Sequence, residues 1–245
     1  MSSTEWSRLA SALADGLSLE IPPIAITFTS AAPEGIRPFD EPPAAPAADG
    51  RTGRVPAGCV FWMKSVDRTF STEAPDHANC SVGSLTHGFV ALEEVAGNDD
   101  VAAALESGWV TPEMVASIPT VPDNPGTVLY GPLEDTPVDP DVVLLRVEPA
   151  QLMALSDAVA GMHIGGKPQC HIVALAKAGE IAASTGCALS RVRTGMPDSQ
   201  MTVAIPSARL AEVVERLGAT TSADAMVASY AAADSERFAG ATSTG

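Results

Sequence analysis

The sequence is poor in basic residues and has no long hydrophobic run. Lys and Arg number 14 against 30 Asp and Glu, which gives a formal net charge of −16. So few cations argue against nucleic acid or an anionic membrane surface as a partner, because phosphate binding depends on Lys and Arg. No apolar run approaches the length of a membrane span. The first residues also lack the basic, apolar and small-residue regions of a signal peptide, so we expect a cytoplasmic protein without a membrane partner.

Cysteine is also scarce, with only four in 245 residues. We do not expect disulfides, because thiols stay reduced in the cytoplasm and a chain of this length can bury a large core without cross-links. Hydrophobic residues make up 46% of the chain and charged residues 18%, a globular composition. The sequence leaves open whether the chain is a monomer or a homodimer.

Patterning predicts an α+β fold, with α/β as the alternative, in which a mixed sheet is flanked by helices. We expect a single compact domain at 1–240, a Pro/Ala-rich loop at 31–56 and a flexible tail at 241–245. Apolar periodicity and capping residues predict helices near 2–16, at 84–96, 99–106 and 206–218, and after Thr111, Pro149 and Ser222. β-Branched runs predict strands at 24–29, 127–130, 142–147, 171–175 and 201–205. Residues 161–168 read as a loop.

The four cysteines lie in small-residue turns, and four is the number of ligands that a cubane iron–sulfur cluster or a structural zinc requires. They are Cys59, Cys80, Cys170 and Cys187. Their spacing is not that of the Cys-x-x-Cys pairs of zinc ribbons. Glycines lie within three residues of three of them and allow backbone to approach a bulky inorganic core. Four unrelated buried cysteines are the alternative. Cys80 precedes a predicted helix, whose free N–H groups we expect to lower its pKa.

Histidines and arginines supply further candidates. His163 and His171 flank the loop that ends at Cys170, and either is suited to moving a proton. A Cys/His zinc site or an axial haem ligand is an alternative use of the histidines, whereas His87 is better explained as a core or capping residue. Arg191 and Arg193 follow Cys187 closely and could hold a substrate carboxylate, or form surface ion pairs.

Several short motifs occur in an order that is similar to the DUF169 family of uncharacterised bacterial and archaeal proteins. They are Cys59 in an apolar run, Cys-Ser-Val-Gly at 80–83, Leu-Tyr-Gly-Pro-Leu at 129–133, Asp-Val-Val-Leu at 141–144 and Gly-Cys-Ala-Leu-Ser-Arg at 186–191. The resemblance runs from about residue 20 to residue 217 and implies cysteine at the same four positions in relatives. The abundance of the family in anaerobes suits an oxygen-sensitive metal centre.

These observations favour an enzyme with a [4Fe-4S] cluster on the four cysteines, acting on a small substrate that is anionic or contains sulfur. With three ligands, an open iron would favour lyase, hydratase or desulfurising chemistry, with Arg191 as the substrate anchor. With four ligands, redox chemistry is favoured. The alternatives are a non-catalytic haem- or metal-binding sensor or carrier that uses Cys and His, and a structural zinc in a protein that acts through a partner surface.

Overall fold

A computed structural model describes residues 1–238, and the expected tail at 241–245 lies outside this range. The fold is built on one seven-stranded sheet in the order β2-β3-β1-β4-β7-β6-β5. All neighbouring strands are antiparallel except β5 and β6, so the sheet is mixed. The strands are β1 Ile24–Thr29, β2 Phe70–Glu73, β3 Thr127–Pro132, β4 Val142–Val147, β5 His163–Gly165, β6 Ala182–Ser184 and β7 Met201–Pro206. The predicted α+β class and single compact domain are confirmed.

Eleven α-helices lie within the described residues. They are α1 Ser3–Leu17, α2 Cys59–Lys64, α3 Ala74–His77, α4 Ser81–Thr86, α5 Leu92–Val95, α6 Asp99–Glu106, α7 Pro112–Ala116, α8 Pro149–Ala158, α9 His171–Lys177, α10 Ala188–Thr194 and α11 Leu210–Ser235. None of these helices has both the length and the apolar character needed to cross a membrane.

The central strand β4 separates two hydrophobic cores, because successive side chains point to opposite faces of a sheet. Val143 and Leu145 pack on the face that α1, α8 and α11 cover. Val142 and Leu144 pack on the other face, against residues of α2 and α9. All six residues of β4 are buried, as expected for a strand covered on both sides. The second face carries the short helices on which the cysteines lie.

Three predicted elements differ from the structure. The helix predicted at 84–96 is two short helices, α4 and α5, because Gly88 between them has φ +75 and leaves no room for a Cβ against the carbonyl oxygen of Val121. The strand predicted at 171–175 is helix α9, since a short buried apolar run fits either element by pattern alone. The two C-terminal helices are one, because α11 continues through Gly218.

Two loops were predicted, at 31–56 and at 161–168, and the structure shows the first as a loop but places a short strand in the second. Residues 31–56, described throughout, contain no helix or strand and only a single bridge from Pro38 to Ser71. Phe39 in this loop is buried in the second core. The predicted loop at 161–168 includes β5, which pairs in parallel with β6 at the sheet edge. That edge brings His163 beside the helix that starts at His171.

Candidate functional site

Each of the four cysteines lies at the beginning of a short helix. Cys59 is the first residue of α2, while Cys80, Cys170 and Cys187 are the N-cap residues of α4, α9 and α10. Side chains at these positions lie beside backbone N–H groups that have no partner within the helix. The four cysteines thus belong to four segments that are distant in sequence, and the packing of these helices brings them together.

All four cysteines line one small cavity of about 40 Å³. A water molecule needs roughly 10–15 Å³ of such space, so the cavity has room for a few water-sized atoms. Its wall is almost entirely apolar. Trp109, Gln169 and Ser190 are among the other lining residues, and sequence reasoning missed all three. Gln169 and Ser190 are close in sequence to Cys170 and Cys187, which was the one available signal.

Short contacts tie the cysteines to their surroundings. The thiol of Cys59 donates to Ser190 Oγ at 3.3 Å, and the backbone N–H of Ser190 donates to Cys187 Sγ at the same distance of 3.3 Å. Cys170 Sγ lies 3.9 Å from the carbonyl oxygen of Val82. The backbone of Gly83 packs against the side chain of Cys80, and a Cβ built on Gly83 would lie 3.2 Å from Cys80 Sγ. Ser190 therefore bridges two of the four sulfurs.

Burial controls the pKa values of these thiols. It raises the pKa of Cys59 to about 12, raises that of Cys80 and raises that of Cys170 well above the usual range for a thiol. The neighbouring cysteines raise the pKa of each of these three thiols further, because a second thiolate beside the first would be repelled by it. The expected lowering of the Cys80 pKa is wrong, because desolvation outweighs the backbone hydrogen bond from Gly83 and the charge of Arg193. A bound cation would reverse this balance.

Buried polar atoms around the cavity are left without partners. His87 and Gln169 line the cavity and are each 1% exposed. His87 Nδ1 contacts the carbonyl oxygen of Gly83 at 2.9 Å, so Nδ1 carries the proton and Nε2 keeps a free lone pair. Within residues 1–238, neither His87 Nε2 nor the amide atoms of Gln169 have a hydrogen-bond partner. Burial lowers the pKa of His87 to about 4, so this imidazole is neutral at pH 7.

His163 and His171 come together, but in a different cavity of about 270 Å³. Their ring centroids are 5.6 Å apart, edge to face. A Cβ on Gly165 would lie 3.0 Å from His171 Nε2 and 3.2 Å from His163 Nε2, so only glycine leaves both rings this close to the strand. His171 Nδ1 donates to the carbonyl oxygen of Pro168, which leaves Nε2 as a buried acceptor with no partner among the described residues. Pro168 lines both cavities.

The two arginines have different surroundings. The guanidinium of Arg191 donates to the carbonyl oxygens of Thr185, Pro197 and Gln200, and its side chain is not among the residues that line the cysteine cavity. Arg193 lines a larger open cleft of about 640 Å³ next to that cavity. The positive charge close to the cysteines is therefore that of Arg193. Arg191 instead links the segment before α10, at Thr185, to the segment after it, at Pro197 and Gln200.

The arrangement of donors is not that of a single-ion site. Within residues 1–238, no three His, Cys, Asp or Glu side chains are close enough to hold one metal ion. Tetrahedral zinc with Zn–S bonds of about 2.3 Å would bring four sulfurs within roughly 3.8 Å of one another. In a cubane cluster each cysteine binds a different iron, so the sulfurs lie further apart. Four soft thiol donors with adjacent unpartnered polar atoms fit such a cluster chemically.

The fold and the site together define an α+β protein with a small cavity lined by four thiols beside a cavity that carries two histidines. The family model DUF169, described as uncharacterised ArCR, matches residues 12–216. The chain therefore belongs to the DUF169 family, which confirms the resemblance seen in its motifs. No curated protein and no solved structure matches the chain.

Proposed function

We propose that Cys59, Cys80, Cys170 and Cys187 hold a [4Fe-4S] cluster and that the protein is an iron–sulfur enzyme for a small anionic or sulfur-containing substrate. The observation that carries the proposal is that all four cysteines of the chain, from four distant segments, line one cavity. Buried thiols with raised pKa values stay protonated at neutral pH unless a metal offsets the thiolate charge. A metal that displaces these protons would find a complete set of soft donors already in one place.

The number and type of the ligands favour a cluster over the alternatives. The cavity of about 40 Å³ is far too small for the flat macrocycle of a haem, and it would have to widen to take the eight iron and sulfide atoms of a cubane. The lack of three close ligands within the described part of the chain argues against a single zinc ion. The unpartnered amide of Gln169 supplies a donor for an inorganic sulfide, a type of hydrogen bond that tunes the potential of such clusters.

In this proposal the cluster supplies Lewis-acid or redox chemistry, and the two histidines of the neighbouring cavity move protons. A cluster with one iron free of protein ligands supplies a Lewis acid for lyase, hydratase or desulfurising chemistry, whereas one with four cysteine ligands supplies electron transfer. His171 is held neutral by burial, which lowers its pKa, and its Nε2 is oriented to accept a proton. His163 lies beside it and is exposed to solvent, so it can pass that proton outward.

A second candidate is a non-catalytic metal-binding protein with a mixed Cys/His ligand set. The free lone pair of His87 Nε2 in the wall of the same cavity favours it, because neutral imidazole can replace a cysteine as an iron ligand in an iron–sulfur cluster. In this case the cavity would hold its metal without an open position for a substrate.

Anaerobic purification with iron, sulfide, zinc and visible-absorption measurements tests the proposal. We expect a broad visible band and about four iron and four sulfide per chain, the composition of a cubane cluster. Cys80→Ala should lose the band. Ser190→Ala is the matched control, because Ser190 contacts Cys59 and Cys187 without being a ligand, and it should retain most of the iron. Colourless protein, with zinc or without metal, would sink the proposal, and loss of iron in His87→Ala alone would favour the second candidate.

A further inference from the structure

We propose that the open cleft formed by Trp109, Lys167 and Arg193 binds a molecule that carries a carboxylate or phosphate group, with Trp109 separating this molecule from the cysteine cavity. The role of the cleft as the substrate site rests on the proposed function. The binding of an anion does not rest on the proposed function, because it requires only Lys167 and Arg193.

The cleft has the size and composition of a small-molecule site. Its volume of about 640 Å³ lies in the usual range for ligand pockets. Ala104, Ala188 and Leu189 give it an apolar wall, and Lys167 and Arg193 are its cations. Asp100 also lines the cleft, but its carboxylate is already engaged, 3.1 Å from Arg51 and 2.6 Å from Ser81 Oγ.

The two cations of the cleft have no carboxylate partner in the described part of the chain, although acidic residues outnumber basic ones about two to one. Eight of the 14 Lys and Arg side chains form ion pairs with carboxylates. Lys167 instead donates to the carbonyl oxygen of Trp109, and Arg193 makes one long contact of 3.5 Å with the carbonyl oxygen of Asn79. Both are half-buried. Their charges are therefore free to pair with an anionic ligand.

Trp109 connects the cleft with the cysteines. It lines both the cleft and the cysteine cavity, as does Leu189. The ammonium group of Lys167 lies 4.8 Å from the centre of the indole ring, a cation–π contact that holds the ring in place. An anion that pairs with Lys167 weakens this contact. Binding in the cleft therefore affects the position of the Trp109 ring, which also lines the cysteine cavity.

Tryptophan fluorescence of metal-free protein, at constant ionic strength, tests the inference. The probes are hexanoate and hexyl phosphate, which share a tail but carry the two candidate anions, and 1-hexanol as the uncharged control. We expect saturable binding of at least one anion, and binding of hexanol about tenfold weaker, since a charge-assisted contact contributes about 1.5 kcal/mol or more. The preferred anion identifies the head group. Trp109→Phe should remove most of the signal, because Trp6 and Trp62 are buried elsewhere.

Charge variants decide the outcome. Lys167→Gln and Arg193→Gln should each weaken anion binding about tenfold, while Lys167→Arg should retain it. Arg216→Gln is the matched control, because it removes one cation on α11 and should leave binding unchanged. Equal affinity for hexanol, or unchanged affinity in both Gln variants, would overturn the inference. Because the protein is metal-free, a failure of this experiment is independent of a failure to find iron and sulfide.

Discussion

Gly83 and Cys80 approach each other so closely that a Cβ built on Gly83 would lie 3.2 Å from Cys80 Sγ. Contacts of this length force the neighbour to move by a few tenths of an ångström. Gly83 therefore sets the position of one of the four sulfurs, although it carries no side chain.

Gly83→Ala should weaken retention of iron about tenfold, the usual effect of disturbing the surroundings of a metal ligand. The protein should still fold, because Ala favours a helix over Gly by about 1 kcal/mol. Iron per chain after repeated anaerobic gel filtration measures the effect. Gly97→Ala is the control, since a Cβ there meets nothing within 4 Å in the described structure. Equal iron in both variants would contradict the prediction.

Gly88→Ala should destabilise the protein by roughly 3–5 kcal/mol, because it combines an unfavourable backbone conformation with a clash. Gly88 has φ +75, and its Cβ would lie 2.4 Å from the carbonyl oxygen of Val121. Denaturant unfolding measures the change. Gly179→Ala separates the two causes, because Gly179 has φ +100 with nothing within 4 Å of its Cβ among the described residues, and about 1 kcal/mol is expected there.

Metal-free protein should lose stability as the pH falls from about 6.5 towards 4. Burial lowers the pKa of His87 from 6.5 to about 4, so the unfolded chain binds the proton more readily than the folded one in this range. The loss attributable to His87 approaches about 3 kcal/mol at the acid end. His77 has a pKa shifted in the same direction by burial and contributes in the same sense.

Denaturant unfolding at a series of pH values measures this dependence. His87→Gln should flatten the curve between pH 6.5 and 4, whereas His163→Gln, at an exposed position, should leave its slope largely in place. An unchanged slope in His87→Gln would show that the buried imidazole does not drive the acid loss of stability.

Arg191→Lys should lower the free energy of unfolding by about 1–3 kcal/mol, because an ammonium group cannot reproduce three hydrogen bonds from one planar guanidinium. Arg191 donates to Pro197, Thr185 and Gln200, whose carbonyl oxygens lie on both sides of α10. Thermal and denaturant unfolding measure the loss. Arg193→Lys, which removes only one long contact, should change stability little. Similar losses in both variants would contradict a special structural role for Arg191.

The sequence predicted the central strands well, because runs of apolar and β-branched residues between prolines are a local signal for a strand. The strand predicted at 24–29 coincides with β1, and that at 142–147 with β4. Helix α6 at Asp99–Glu106 was also predicted with its observed bounds. The prediction failed where tertiary contacts decide, as at Gly88, where the chain turns against Val121, and at 171–175, where a buried apolar run forms a helix.

The sequence predicted which residues belong to the candidate sites better than it predicted how these residues are grouped in space. The sequence singled out the four cysteines and the pair His163 and His171, but nothing in their spacing said which of them share a cavity. The sequence favoured Arg191 as the substrate anchor, but the Arg191 guanidinium donates to three carbonyl oxygens, and it is Arg193 that lines the cleft. Trp109 carried no signal in sequence, because its position between two cavities depends on segments far away along the chain.

By itself the sequence determined the fold class, the scarcity of cations and the presence of four thiols, the number that a cubane cluster needs, since these follow from composition and local pattern. Only the tertiary structure decided that four cysteines up to 128 positions apart line one cavity and that the two histidines occupy another. It also decided that two cations share a cleft that has lining residues in common with both cavities. The reason is that proximity between distant segments depends on how the helices pack over the sheet, which no local pattern encodes.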